Sequence, residues 1–150
     1  MGAIMKLMAC AVAAMSMLAS VAHAGDWRIV TINNTGAFGV DFGSVRTEAK
    51  GLSAWVLAVN PTPDNKGVGY SLIRTLFDCQ RDESAFTTIV EYAEDGTSLG
   101  SVSGRVEWTP LVPDSVGYAN MRAACFNEAY GDKGWDNPAA FVAAYRAVQD

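Results

Sequence analysis

Residue types that commonly carry catalytic chemistry are scarce in this 150-residue sequence. Its single histidine, His23, lies in an N-terminal segment that we expect to be cleaved off, and its three cysteines are Cys10, Cys79 and Cys125. A chain without histidine cannot build a Ser-His-Asp triad, a Cys-His pair or a histidine-containing zinc site. We therefore predict no catalytic residue, no cofactor-binding residue and no metal ligand, and a protein that is not an enzyme.

Paired carboxylates are the main remaining route to catalysis, because two of them across a cleft can hydrolyse a glycosidic bond. Acidic side chains near turns are usually solvated instead, so a carboxylate-based hydrolase is the less favoured alternative. The candidate residues are Asp78, Asp82, Glu83, Glu91, Glu94, Asp95 and Glu107.

Two further kinds of site are weakly indicated. A Ser-Lys pair needs a buried lysine, but Lys50, Lys66 and Lys133 each precede a glycine in an expected loop. Residues 131–137 (GDKGWDN) offer oxygen ligands for calcium, yet they lack the full pattern of a calcium loop and its bidentate glutamate. A turn that connects two helices is the favoured interpretation of this segment.

The N-terminal segment has the three-part pattern of a secretory signal peptide. Lys6 precedes an apolar stretch over residues 7–21, and residues 22–24 read Ala-His-Ala. Small residues at this spacing are what signal peptidase recognises, so the pattern predicts cleavage between Ala24 and Gly25. The mature protein is then expected to act outside the cytoplasm, in the periplasm, on the cell surface or in the medium.

Two alternatives to simple cleavage remain open. The segment could stay as a membrane anchor, although its apolar run is shorter than the roughly twenty residues of a spanning helix. A lipid could be attached at Cys10, although most of the apolar run follows that cysteine. Cleavage would leave one domain over residues 25–150, with the net charge changed from −5 to −6 by the loss of Lys6. Such an acidic domain is a poor partner for nucleic acid or anionic lipid.

The two cysteines of the mature chain, Cys79 and Cys125, are 46 positions apart. In an exported domain two cysteines most often pair, so a disulfide is the favoured interpretation. The alternative is two separate buried thiols.

Strand signals fill the first part of the mature chain. Residues 27–32 are rich in β-favouring types, residues 38–42 suggest a short edge strand, and Gly36, Gly39 and Gly43 are interpreted as turn glycines. Further strands are predicted at 52–60, 68–79, 86–92 and 100–108, with a loop at 61–67 and a hairpin turn at 94–97. Alternation places Phe86, Val90 and Tyr92 on one face, and likewise Val102, Val106 and Trp108.

Helical periodicity replaces alternation after Pro110 and Pro113. A helix capped by Asp114 or Ser115 is predicted to continue to about residue 130, and Asn137-Pro138 predicts the start of a second helix. The fold class is therefore α+β: an antiparallel sheet of about five or six strands with C-terminal helices packed on it.

Several of these segments together resemble the surface-adhesin protein E family of Gram-negative bacteria. They are Phe77-Asp78-Cys79 at a strand end, the run from Trp108 to Val116 (WTPLVPDSV), Ala124-Cys125 on the following helix, and the upstream Ala54-Trp55-Val56-Leu57 and Trp27. The resemblance covers about residues 26–127. It implies a small antiparallel sheet with a packed helix, a disulfide between Cys79 and Cys125, an envelope location, and no catalytic residues.

The resemblance also implies a function, because the family's namesake is an adhesin that binds host extracellular-matrix proteins. The leading hypothesis is a non-enzymatic envelope binding module that recognises a protein through its sheet face and the loops at 61–67 and 94–100. The alternative is a periplasmic accessory or structural protein without a host ligand. An exposed apolar patch would favour a protein partner or a homodimer.

Overall fold

The fold is known from a computed structural model that describes residues 25–132 and 134–149. The predicted signal peptide and Lys133 lie outside the described residues. The strands are β1 (Trp27–Asn33), β2 (Gly36–Thr47), β3 (Leu52–Val59), β4 (Tyr70–Asp78), β5 (Glu83–Tyr92), β6 (Ser98–Ser103) and β7 (Thr109–Pro110). The helices are α1 (Val116–Phe126) and α2 (Pro138–Ala147).

The six main strands form one antiparallel sheet in the order in which they occur in the chain, β1 to β6. The two-residue β7 pairs with the start of β5, on the side of β5 that β6 occupies further along. Because successive strands are neighbours, each connection can be a short turn. The α+β prediction, with its strand number and its C-terminal helices, is confirmed.

Strand β2 was predicted to be a short edge strand, and it differs from its prediction more than any other strand does. It is twelve residues long and pairs with β1 on one side and β3 on the other. Gly39 lies inside this strand, where a Cβ atom would stand 2.6 Å from the Phe141 ring of α2. Glycine in a strand often marks such a close approach. The interpretation of Gly39 and Gly43 as turn residues was therefore wrong.

Strand β6 also differs from its prediction, because it ends at Ser103 and not at Trp108. The Gly104 N–H still donates to the Thr87 carbonyl, but residues 104–108 then leave the ladder. Trp108 lies under Lys50, with the ammonium 3.9 Å from the ring centre. The predicted shared face of Val102, Val106 and Trp108 on one strand does not exist.

The two helices cover opposite faces of the sheet. Met121, Ala123 and Ala124 of α1 pack on one face, in a cluster with Val40 and Val56. On the other face, α2 contributes Phe141, Val142 and Tyr145, packed with the buried strand residues Trp27, Ala37, Leu57, Val59 and Tyr70. The domain thus has three layers, with the sheet in the middle.

Both helices begin at caps that the sequence indicated. The Ser115 hydroxyl accepts a hydrogen bond from the Tyr118 N–H, and the Asn137 side chain accepts one from the Ala140 N–H. Helix α1 ends at Phe126, earlier than predicted, because Asn127 takes a left-handed conformation with φ of 60° and closes the last turn.

A disulfide joins Cys79, just after β4, to Cys125 in the last turn of α1, with a Cα–Cα distance of 5.9 Å. It fastens the helix to a strand in the interior of the sheet. The favoured pairing of the two cysteines is therefore confirmed, and the alternative of separate thiols was wrong.

Candidate protein-binding surface

One row of apolar side chains crosses the sheet on the face that α1 covers. Val40, Val56, Ile73, Ile89 and Val102 are successive cross-strand partners from β2 to β6, so they point to the same side. The first two are buried, the next two are half-buried, and Val102 is 64% exposed. The helix covers only the first part of this row, and the part on the β5–β6 hairpin faces solvent.

A β-bulge adds Phe86 to this row. Arg74 pairs with Thr88 but Thr75 pairs with Phe86, so Thr87 is an extra residue in β5. The insertion reverses the alternation and places Phe86 on the side of Ile89, three positions later. The prediction that Phe86 shares a face with Val90 and Tyr92 was therefore wrong. Val90 and Tyr92 pair with Leu72 and Tyr70, which belong to the opposite face.

We call Phe86, Ile89 and Val102 the hairpin surface. Phe86 is 47% exposed although it is a large apolar side chain. Isolated exposed apolar residues are ordinary, but a contiguous group on one sheet face is a feature of interaction sites. The hairpin surface therefore has the composition expected of a small protein-binding patch.

Strand β6 adds a row of backbone groups beside this surface that pair with no other described strand. It is the last strand in the sheet order, and all six of its residues are exposed. Its sequence, SLGSVS, contains no charged residue and no proline, which are the usual means of protecting an edge strand. An extended segment of a partner could therefore hydrogen-bond along this edge.

The hairpin turn is held by Asp95. Its carboxylate accepts a hydrogen bond from the Thr97 N–H at 2.9 Å, and Gly96 has the positive φ that the turn requires. This hydrogen bond from the Thr97 N–H lowers the pKa of Asp95, because it favours the ionised carboxylate. The predicted hairpin is thus confirmed.

The two predicted recognition loops come together at one end of the sheet. Arg146 of α2 donates to the Pro61 carbonyl at 2.6 Å and to both oxygens of Glu94, the second at 2.9 Å. One side chain therefore bridges the loop after β3 and the turn after β5. The described residues of these loops are exposed around that bridge, but they hold no apolar cluster like the hairpin surface.

The acidic side chains considered for glycoside hydrolysis are spread over the molecule, except that Asp78 and Glu83 lie close together. Lys50 contacts Glu83 at 2.9 Å and Asp78 at 3.3 Å. Glu94 is bound to Arg146, Asp95 holds the turn, Glu91 lies on β5, and Asp82 and Glu107 are exposed in loops.

The environment of Asp78 favours its ionised form. Burial alone would raise the pKa of Asp78, but the N–H groups of Gln80 and Arg81 oppose this effect. With the Lys50 ammonium they bring the pKa below its usual value. A general acid for glycoside hydrolysis needs the opposite shift. The Asp78–Glu83 pair therefore has the character of a structural ion-pair site.

The segment considered for calcium connects the helices and completes the sheet edge. The backbone groups of Trp135 and Trp27 exchange two hydrogen bonds, at 2.8 and 2.9 Å, and Asn137 caps α2. Within residues 25–132 and 134–149, no group of three or more His, Cys, Asp or Glu side chains is placed to hold a metal ion.

A cavity of about 380 Å³ opens beside the hairpin surface. Phe86 forms part of its wall, together with Thr75 and the fully buried Phe77 from β4 and with Gly117 and Asn120 from α1. The Asn120 Oδ1 atom is buried and has no hydrogen-bond partner among the described groups. Asn120 was not among the residues predicted from the sequence to have a role. The available signal was a polar residue on the buried side of α1, beside Met121 and Ala124.

The model of the surface-adhesin protein E family matches residues 27–126, and the chain belongs to this family. The match agrees within one residue at each end with the extent expected from the sequence motifs. It includes all the strands, α1 and the disulfide, whereas α2 follows it. No curated protein and no solved structure matches the chain. Among the helices of the described residues, none has the length and apolar character needed to span a membrane.

Proposed function

We propose that this protein is an exported, non-enzymatic binding module of the cell envelope that recognises a protein through its β5–β6 hairpin. The observation that carries the proposal is the apolar row that α1 covers at β2 and β3 but that continues uncovered onto Val102 of the edge strand. A partner that docks there can bury the hairpin surface and pair with the free backbone of β6.

Membership of a surface-adhesin family supports a protein as the ligand. We propose, more specifically, that this protein partner is a component of the host extracellular matrix. Export rests on the N-terminal pattern, with removal of residues 1–24 and one folded domain from Gly25 onward. The disulfide supports an oxidising location, because such bonds persist outside the cytoplasm.

Binding is tested with the purified chain, residues 25–150, on immobilised basement-membrane extract. Val102→Asp places a charge on the hairpin surface. Val148→Asp is a matched control, because Val148 is 77% exposed and follows α2, the helix on the opposite face of the sheet. Both are surface changes, so stability should move by no more than about 0.5 kcal/mol. We expect Val102→Asp to weaken binding at least about tenfold and Val148→Asp to leave it unchanged.

Two results would contradict this proposal in different ways. Equal loss in both variants would show that the hairpin is not the binding surface. No binding by the unaltered chain, together with protection from protease in intact cells, would reject matrix binding and favour the periplasmic alternative. Cleavage from intact cells would instead place the protein on the outer surface.

A further inference from the structure

We propose that the partner segment at the β6 edge is an extended strand with a basic side chain and, two residues away, an apolar side chain, and that Glu91 selects it by pairing with the basic group. This inference rests on the proposed function, because it names the chemistry of the segment by which a protein would be held at the hairpin surface.

All charged residues of the β5–β6 hairpin are acidic. Residues 83–103 contain four carboxylates and no lysine, arginine or histidine. Three of these carboxylates already have partners within the domain, namely a lysine, an arginine and the backbone of the turn: Glu83, Glu94 and Asp95. The fourth, Glu91, is half-buried and forms no ion pair within residues 25–132 and 134–149. Glu91 is therefore the carboxylate of the hairpin that a basic group of a partner can bind.

Glu91 lies on the same face of the sheet as the hairpin surface. It comes two residues after Ile89 in β5, and its cross-strand partner in β6 is Gly100, two residues before Val102. Residues two apart on a strand share a face, and so do cross-strand partners. Gly100 carries no side chain, and no described atom outside its two chain neighbours lies within 4 Å of the place that a Cβ would occupy. No side chain of β6 at this position therefore separates Glu91 from the open edge.

The spacing of strands in a sheet decides what can reach Glu91. A strand added outside β6 would lie about 10 Å from β5, which is two strand spacings. A lysine or arginine side chain opposite Gly100 can extend across the bare backbone of β6 and meet the Glu91 carboxylate. The residue two positions along the added strand faces Val102, where an apolar side chain is favoured. The edge thus calls for a basic and an apolar residue separated by one residue.

A second copy of this chain does not meet these requirements. Its own β6 edge, SLGSVS, offers no basic residue. Two acidic hairpins placed side by side would also repel each other. Charge complementarity therefore favours a different protein as the partner, one with basic residues in its extended segment.

The test titrates the folded chain, residues 25–150, with two blocked heptapeptides and follows its backbone amide signals by NMR. In acetyl-TVTKTVT-amide the lysine is two residues from a valine on each side, so either strand direction presents the motif. Acetyl-TVTETVT-amide replaces the lysine by glutamate. We expect shifts in β6 and at Glu91, with the lysine peptide bound about fivefold more tightly at about 50 mM salt. The preference should fall at about 500 mM salt because the charges are screened.

Charge reversal at Glu91 separates partner selection from a structural role. Glu91→Lys should prefer the glutamate peptide, and Glu91→Gln should bind both peptides equally. Asp136→Lys is the matched control, because Asp136 is exposed and its carbonyl accepts a hydrogen bond from Gly25, just before β1 at the opposite edge. This control should keep the original preference. Equal binding of both peptides to the unaltered chain, or the original preference retained in Glu91→Lys, would overturn the assignment.

Pairing along the β6 backbone is tested with two N-methylated forms of the lysine peptide. One is methylated at every threonine, and the other at the valines and the lysine. Alternate N–H groups of a strand point to opposite sides, so one form should lose binding and the other should keep it. Equal binding by both forms would overturn strand addition.

Competition with the matrix tests the source of the basic segment. Release of the chain from immobilised basement-membrane extract by the lysine peptide, but not by the glutamate peptide, supports a matrix protein that carries the motif. Unchanged matrix binding at saturating peptide would overturn this source. A concentration-dependent dimer that Val102→Asp abolishes would overturn the choice of a different protein. Failure of both peptides to bind would reject the inference alone, because the effect of Val102→Asp on matrix binding tests the proposed function separately.

Discussion

The two edges of the sheet differ in how they meet the rest of the molecule. At β1, the segment between the helices adds backbone hydrogen bonds from Tyr130 to Ile29 and between Trp135 and Trp27. At β6, no described element pairs with the outer side of the strand, and all six residues are exposed. Both helices also pack on the β1 side of the sheet centre, where the buried clusters lie. Stability is therefore concentrated at the closed edge, and the open edge is available for interaction.

The largest contrast is expected between two phenylalanines. Phe141 of α2 is 1% exposed and packs against Trp135, whereas Phe86 of the hairpin is 47% exposed. Phe141→Ala should lower the free energy of unfolding by about 3–5 kcal/mol, because it leaves a cavity in the core. Phe86→Ala should cost no more than about 1 kcal/mol, because little buried volume is lost. Urea denaturation of both variants measures the difference, and equal costs would contradict the contrast.

Loss of the disulfide should have an effect of similar size. The bond spans 46 positions, for which the loop-entropy model gives about 4 kcal/mol. Replacing both Cys79 and Cys125 by serine should therefore lower the urea midpoint strongly, and the unaltered chain treated with reductant should behave like the double variant. An unchanged midpoint would show that the bond does not stabilise the fold. Alkylation of either cysteine in the unfolded, unreduced protein would show that the bond is not formed.

The smallest expected effect concerns the pH dependence of stability. The folded-state pKa of Asp78 is below its usual value, so its contribution is fully present above the unfolded pKa of about 3.9 and is lost as pH falls through the folded pKa. Asp78→Asn should therefore be less stable than the unaltered chain at pH 7, and the gap should close below about pH 4.

Asp95→Asn provides the matching measurement at the open edge. Its pKa is also lowered, by the Thr97 N–H, but the residue lies in an exposed turn. We expect the same direction of pH dependence with a smaller amplitude, read from urea midpoints at pH 7 and pH 3. An amplitude larger than that of Asp78 would argue that the hairpin turn contributes to the core stability.

Sequence patterns predicted those features whose causes are local. Ser115 and Asn137-Pro138 marked the helix starts through caps within one turn, and Asp95-Gly96 marked the hairpin through its own backbone requirement. The disulfide between Cys79 and Cys125 was predicted from the expected oxidising compartment and not from the residues around either cysteine.

Features that depend on distant contacts were mispredicted or missed. Gly39 belongs inside β2 because the Phe141 ring, about a hundred residues later, requires the space above it. The extra residue at Thr87 leaves no mark in the pattern of apolar residues, so Phe86 was placed on the wrong face. Asn120 became notable only when its surroundings were known, because an asparagine on an amphipathic helix is ordinary until it is seen to be buried.

The bulge at Thr87 has a consequence for comparing this chain with its relatives. Insertion or deletion of a single residue at this point of β5 changes which residues of the strand lie above and below the sheet, although composition and overall fold stay the same. In an alignment, a one-residue gap here would separate family members that present Phe86 together with Ile89 from members that turn the equivalent aromatic residue to the opposite side. Ligand preference within the family would then depend on which face of the sheet carries these residues of β5. Overall sequence identity would be a poor guide to that preference.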